Sequence, residues 1–143
     1  LREVVLAYPT VDDCALIELP RIPDVRGSLS FVEGARHIAF PIARTYWVYD
    51  VPGDAARPGH AHRELEEVVI ALSGSFEVRL DDGSRQRVVR LNRSYRGVHV
   101  PRMIWRAFSD FSTNSVCLVL ASRHFAEDDY IRDYARFVAA RNA

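Results

Sequence analysis

The chain has 143 residues, is 48% hydrophobic and 27% charged, and carries a formal net charge of +0. A length of this order suits one domain that removes about 68–70% of its chain surface from water. The apolar content excludes a disordered tail, and no run approaches the roughly 18 uninterrupted apolar residues of a membrane span. All 19 basic residues are arginine, which removes Schiff-base and P-loop lysine chemistry. The charge balance argues against sequence-independent nucleic-acid binding.

In chain order, the opening segment LREVVLAYPTVDDC lacks a signal-peptide layout because acidic residues interrupt it early. The cytoplasm is the expected compartment. Strands are predicted at 28–33, 44–51, 67–72, 75–80, 85–91, 97–100 and 115–121, all rich in Val, Ile, Tyr, Phe or Trp. The turn segments GDAARPG, SGS, DDGS and LNRSYRG separate them. Residues 75–80 alternate polar and apolar with period two, the mark of a half-buried strand. Asp82-Gly83 then signals a hairpin. Short strands at this spacing predict an all-β antiparallel sandwich or barrel. Cys14 and Cys117, far apart and without a CxxC pair, read as buried free thiols.

The C-terminus changes character. Tyr130, Ile131, Tyr134, Phe137 and Val138 fall at helical spacing. Glu127, Asp128 and Asp129 stand at the start of this stretch, and Arg136 and Arg141 toward its end, as a helix dipole favours. One C-terminal α-helix is expected, packed on the sheet.

One cluster carries chemistry. His60-Ala61-His62 is followed by Glu66 and Glu67. Residues two apart on a strand point the same way, so His60 and His62 project together. Adjacent imidazoles suit metal binding, with Glu completing the ligand set, or acid–base work near neutral pH. Strand alternation points Glu66 and Glu67 in opposite directions, so only one of them can orient a histidine ring. His37 and His124 read as ordinary surface or loop residues.

The stretch from Gly53 through HAHRELEEVVIALSG resembles the first cupin motif, with Gly74 seven positions after Glu67. The second cupin motif carries a His five residues after a Pro. Here, in GVHVPRMIWRAFSD, that place holds Arg106, and His99 lies ahead of Pro101, out of register. Guanidinium has no lone pair for a metal, so the expected metal is none. Beyond the superfamily, RGSLSFVE, RTYWVYDV, RPGHAHRELEEVVIALSGSFEVRLDDG, VPRMIWRAFSDFS and VLASRHFAEDDYIRDYARF occur in this order. Together, from Asp24 to Phe137, they resemble the sugar-nucleotide 3,4-ketoisomerases, the WxcM-like cupins.

The resemblance implies a single cupin domain over 1–143, a jelly-roll or double-stranded β-helix barrel with a C-terminal helix. It implies a cofactor-free isomerase that moves the ketone of dTDP-4-keto-6-deoxyglucose from C4 to C3. His60 maps to the base at C3, and His62 to an orienting or relay partner. For that chemistry Tyr46 offers a hydroxyl to the sugar and Arg44 a fixed positive charge. Arg106 is expected to border the hexose. Arg26, Arg57 and Arg102 are the candidate diphosphate forks, and Trp105 either walls the sugar site or fills the barrel. Arg26 and Arg106 occupy positions that vary with the C4 configuration of the product; the pair here leans toward gluco. The family also implies a homodimer that exchanges N-terminal strands, for which VVLAY (4–8) and ALIEL (15–19) are candidates. A metal-dependent cupin enzyme and a non-catalytic sugar-nucleotide-binding cupin are the alternative readings.

Overall fold

The computed structural model describes residues 7–143. Twelve strands follow in chain order among them: β1 (Leu16–Glu18), β2 (Arg21–Ile22), β3 (Leu29–Ser30), β4 (Arg44–Tyr49), β5 (Arg57–His62), β6 (Glu67–Ser73), β7 (Phe76–Asp81), β8 (Gln86–Leu91), β9 (Arg96–Val100), β10 (Trp105–Ser109), β11 (Val116–Ala121) and β12 (Tyr130–Ile131). A single α-helix, α1 (Tyr134–Arg141), closes the described chain. No described helix is long and apolar enough to cross a membrane.

Two five-stranded antiparallel sheets form, in the orders β1-β9-β6-β11-β4 and β12-β5-β10-β7-β8, with β2-β3 as a separate hairpin. The expected all-β jelly-roll class holds, and the sheets stay two hydrogen-bonded units rather than one closed ladder. Period-two alternation decides which side chains meet between them. Val69 and Ala71 from β6, Cys117 and Val119 from β11, Phe76, Val78 and Leu80 from β7 and Phe108 from β10 form one buried cluster. Each fully buried Val, Leu or Phe side chain contributes about 1.5–3 kcal/mol relative to exposure. The opposite face of β6, Val68 and Ile70, packs under Leu19, Ile38 and Phe40.

The described structure corrects several sequence expectations. The strand at 28–33 shortens to β3, and Phe31–Glu33 leave it. Residues 15–19 do contain a strand, β1, on the edge beside β9. Of 4–8, residues 4–6 lie outside the described residues, and Ala7 and Tyr8 are in no strand. Strand β10 was not anticipated. Its inward residues are Arg106 and Phe108, and an arginine in the buried register hides the apolar alternation.

The C-terminal helix is also shorter than its periodicity suggests. Glu127–Asp129 form a 3-10 turn and Tyr130–Ile131 form β12; α1 begins only at Tyr134, with the Asp133 side chain capping Arg136 N. Strand pairing wins at 130–131 because Tyr130 lies opposite His62 and Ile131 opposite Ala61. Ile131 then buries against Ala61, Met103 and Phe137. The acidic residues therefore complement no α-helix dipole.

Gly59 precedes the histidine pair on β5. A Cβ there would stand 2.3 Å from Trp105 Nε1 and 2.7 Å from Cε2. Trp105 is held by Tyr134 and Phe137, with ring centroids at 5.3 and 5.7 Å. Gly59→Ala is expected to cost about 1–3 kcal/mol by overpacking, read as a lower Tm. Gly59→Ala combined with Trp105→Leu should recover part of the loss. An unchanged Tm in the single variant would show that the indole yields freely.

Candidate active site

Strand β5 delivers His60 and His62 to the inside of the sandwich, with ring centroids 4.9 Å apart and planes at 90°. The Tyr130 ring on β12 packs against both, at 5.2 and 4.3 Å. His62 is fully buried. Neither of its ring nitrogens, nor His60 Nε2, has a hydrogen-bond partner among the described residues. Burial, and then the Arg106 guanidinium, lowers His60 to about 3 and His62 to about 2. Desolvation disfavours the charged imidazolium, so both rings are neutral bases at ordinary pH.

Beneath the pair lies a buried ionic network. The β10 register sets Arg106 opposite His60. Its guanidinium donates to Glu67 through Nη1, and through Nη2 to the Ile104 carbonyl at 2.8 Å. The Tyr46 hydroxyl donates to the other Glu67 oxygen at 2.6 Å. Burial and the Glu67 carboxylate raise the Tyr46 pKa, so it is a phenol, not a phenolate. Glu67 thus joins β6 to β4 in one sheet and to β10 in the other.

Ligand atoms of His60, His62 and Glu67 lie within 4.8 Å of one another. The set does not fit a cation. The Glu67 carboxylate already accepts from Arg106 and Tyr46, and a divalent ion would meet a buried guanidinium with no lone pair to offer.

His60 opens onto a cavity of about 370 Å³ between the sheet edges. Arg44, Tyr46 and Val48 line one wall, Arg57, Pro58 and His60 the other, and Tyr130 and Arg132 the mouth. Arg44 stacks 4.6 Å from the Tyr46 ring centroid and has an unpartnered buried Nη1. Arg132 lies 4.1 Å over Tyr130 and is held by Glu127 through bonds of 2.7 and 2.9 Å. Three guanidinium groups around a neutral histidine suit an anionic ligand.

The expected site residues divide. Arg44, Tyr46, Arg57 and His60 line the cavity; His62 and Arg106 are buried behind it. Trp105 faces the other way, onto α1. Arg102 donates to the Arg63 carbonyl at 2.6 Å, and Arg26, whose side chain is 86% exposed, pairs with Asp24 at 3.0 Å. Neither Arg26, Arg102 nor Trp105 lines the cavity of this chain. Tyr130, Arg132 and Cys117 line it and were missed by sequence reasoning; the first two were read as helical. Of the two glutamates, Glu66 faces outward to His99 at 2.9 Å, and Glu67 faces inward with an oxygen 3.9 Å from His62 Nε2.

The chain matches the family model described as "FdtA: WxcM-like, C-terminal" over residues 12–142. It is 40% identical over 122 residues to the TDP-4-oxo-6-deoxy-alpha-D-glucose-3,4-oxoisomerase of Aneurinibacillus thermoaerophilus, covering 85% of this chain and 88% of that one. Its structure is similar to a 3,4-ketoisomerase from Helicobacter canadensis, with TM-score 0.89, 39% identity and coverage of 92% and 98% of the two chains. It is also similar to the sugar 3,4-ketoisomerase QdtA of Thermoanaerobacterium thermosaccharolyticum in complex with TDP, with TM-score 0.90, 35% identity and coverage of 92% and 96%.

Removing one partner of a buried ion pair leaves the other charge uncompensated, at about 3–5 kcal/mol. Glu67→Gln and Arg106→Met are each expected to destabilise by that order in urea unfolding. The double variant should lose clearly less than the sum, because no buried charge is stranded. Additive losses would show that the two side chains do not depend on each other.

Proposed function

The chain belongs to the FdtA family, WxcM-like, C-terminal, and from that premise we propose how its cavity moves the ketone of a TDP-linked 4-keto-6-deoxyhexose from C4 to C3. The protein is a sugar-nucleotide 3,4-ketoisomerase. The observation that carries the mechanism is the neutral, unpartnered His60 at the wall of a cavity ringed by Arg44, Arg57 and Arg132.

The C3 proton of the substrate lies alpha to the C4 ketone, so its removal gives an enediolate. His60 takes that proton. Its basicity is low in the empty site and rises when negative charge develops on the adjacent substrate oxygen, since an opposite charge favours the imidazolium. Arg44 and Arg57 stabilise that oxygen charge. Return of a proton at C4, and transfer of the hydroxyl proton from the C3 oxygen to the C4 oxygen, leave a 3-keto sugar of unchanged composition. His62, 4.9 Å from His60 between ring centroids, serves the relay. No step draws on a metal or cofactor.

A proton NMR time course tests this with TDP-4-keto-6-deoxyglucose and metal-stripped protein in D2O. The expected product is the 3-keto sugar with deuterium at C4. His60→Asn should slow conversion by about 10²–10⁴-fold, the usual worth of a general base. A large H4–H5 coupling in H2O would identify the gluco product the sequence favours. The lowered His60 pKa predicts that kcat/KM is still held by the base form below pH 6.5, because a depressed pKa leaves the ring neutral until more acid is added. Turnover only with added divalent ion would overturn the mechanism; tight binding without turnover would make the protein a binding module.

The chain is also proposed to act as a homodimer of one-domain subunits. The outward faces of β4, β6 and β11 expose Trp47, Tyr49 and Leu72 around a shared groove that includes Leu118. Exposed apolar patches of this kind mark interaction surfaces, and among the described residues β1 is an edge strand of its sheet. Light scattering should give twice the 16.3 kDa chain mass. Trp47→Arg should shift the mass toward one chain, and a monomeric parent protein would sink the proposal.

A further inference from the structure

We infer that Asp129 is a positioning residue for His62, fixing the ring with its proton on Nδ1 and leaving Nε2 as the basic nitrogen. The inference rests on the isomerase reading only for what His62 then does. Asp129 ends the 3-10 turn and directly precedes β12. One carboxylate oxygen accepts from Glu64 N at 2.8 Å, and the other from Leu65 N at 3.1 Å. Its carbonyl accepts from Arg63 N at 2.9 Å. The carboxylate is therefore clamped to the connection that follows the histidine pair, with little freedom of its own.

From that position Oδ2 stands 3.5 Å from His62 Nδ1, with the two side chains 13% and 1% exposed. The distance is long for a hydrogen bond, as catalytic contacts commonly are before substrate is bound. His62 has two carboxylate neighbours, and they differ. Glu67, 3.9 Å from Nε2, is already neutralised by Arg106 and receives the Tyr46 hydroxyl. Asp129 accepts from backbone N–H groups, and among the described residues no arginine nitrogen forms an ion pair with its carboxylate within 4.0 Å, the one such neighbour being His62. Its charge is the less compensated of the two. A carboxylate only accepts, so the ring presents an N–H to Asp129, and the second nitrogen keeps its lone pair toward the inside of the site. When His62 takes up a proton in the relay, Asp129 opposes the burial and the Arg106 charge that disfavour imidazolium.

The test uses protein labelled with ¹⁵N histidine, with and without Asp129→Asn. In the parent protein without substrate, the His62 signals should show Nδ1 protonated and Nε2 bare. Asparagine keeps a carbonyl oxygen for the loop but brings an N–H that Nδ1 can accept, so the variant should shift toward the Nε2–H form. Its kcat should fall about 10–100-fold, the usual effect of losing a partner that orients a histidine, with KM little changed. Asp129→Glu should restore the Nδ1–H signature and part of kcat. Asp128→Asn, one residue away, should alter neither. Nε2 protonation in the parent protein, full kcat in Asp129→Asn, or a fall in kcat with the tautomer unchanged would overturn the inference. The ring signals decide it without turnover, so a failure of the isomerase reading would be seen separately, as inactive parent protein with an intact Nδ1–H signature.

Discussion

The contact between Arg106 and Glu67 in the middle of the sandwich constrains everything around it. Both side chains are buried, and taking two charges out of water is unfavourable unless the remaining donors and acceptors find partners. Here they largely do: Tyr46 fills the second Glu67 oxygen, and the Ile104 carbonyl takes Nη2. The pair spans β6 and β10, which belong to different sheets, so it sets how the two layers face each other at the end where His60 and His62 lie. A hydrophobic pair of equal volume would fill the same space. It would not place a fixed positive charge opposite His60.

That charge acts on the histidines and on the glutamate alike. Arg106 and burial act together on both imidazoles and hold them neutral. The same guanidinium occupies the carboxylate that a metal would need. The fold therefore presents the arrangement of a metal site, two histidines and a glutamate, with a permanent internal cation in place of an exchangeable one. Enolisation needs a base and a way to carry negative charge on oxygen. Arg44, Arg57 and Arg132 line the cavity beside His60.

Much of this was legible in the sequence, for identifiable reasons. The strand at 76–81 announces itself because one face is buried and alternation follows, whereas 116–121 shows as a continuous apolar run, VCLVLA. The histidine pair was legible because two residues apart on a strand means one face. Arg106 was recognised as the residue that replaces a metal ligand, but its partner was not, since Glu67 reaches it across 39 positions. Tyr130 and Arg132 were misread because their spacing also suits a helix; only the pairing of Tyr130 with His62 separates the two readings. Arg26, Arg102 and Trp105 show the other limit. With 19 arginines in the chain, residue type says nothing about direction, and Trp105 faces α1 because Arg106 takes the inward position beside it.

A base as weak as His60 in the empty site would be a poor catalyst if its surroundings were fixed. In the proposed mechanism they are not, because the substrate would bring the missing charge. Before binding, imidazolium would sit in a desolvated pocket among Arg106, Arg132 and Arg57, and the neutral ring is favoured. In the proposed mechanism, negative charge would develop on the sugar oxygen beside Arg44 and Arg57 as the C3 proton leaves, and the imidazolium would gain an opposite charge at close range. On that mechanism the site would bind the enediolate better than the ketone, which is the condition for lowering a barrier rather than a dissociation constant. The lowered pKa would also keep His60 unprotonated well into the acid range.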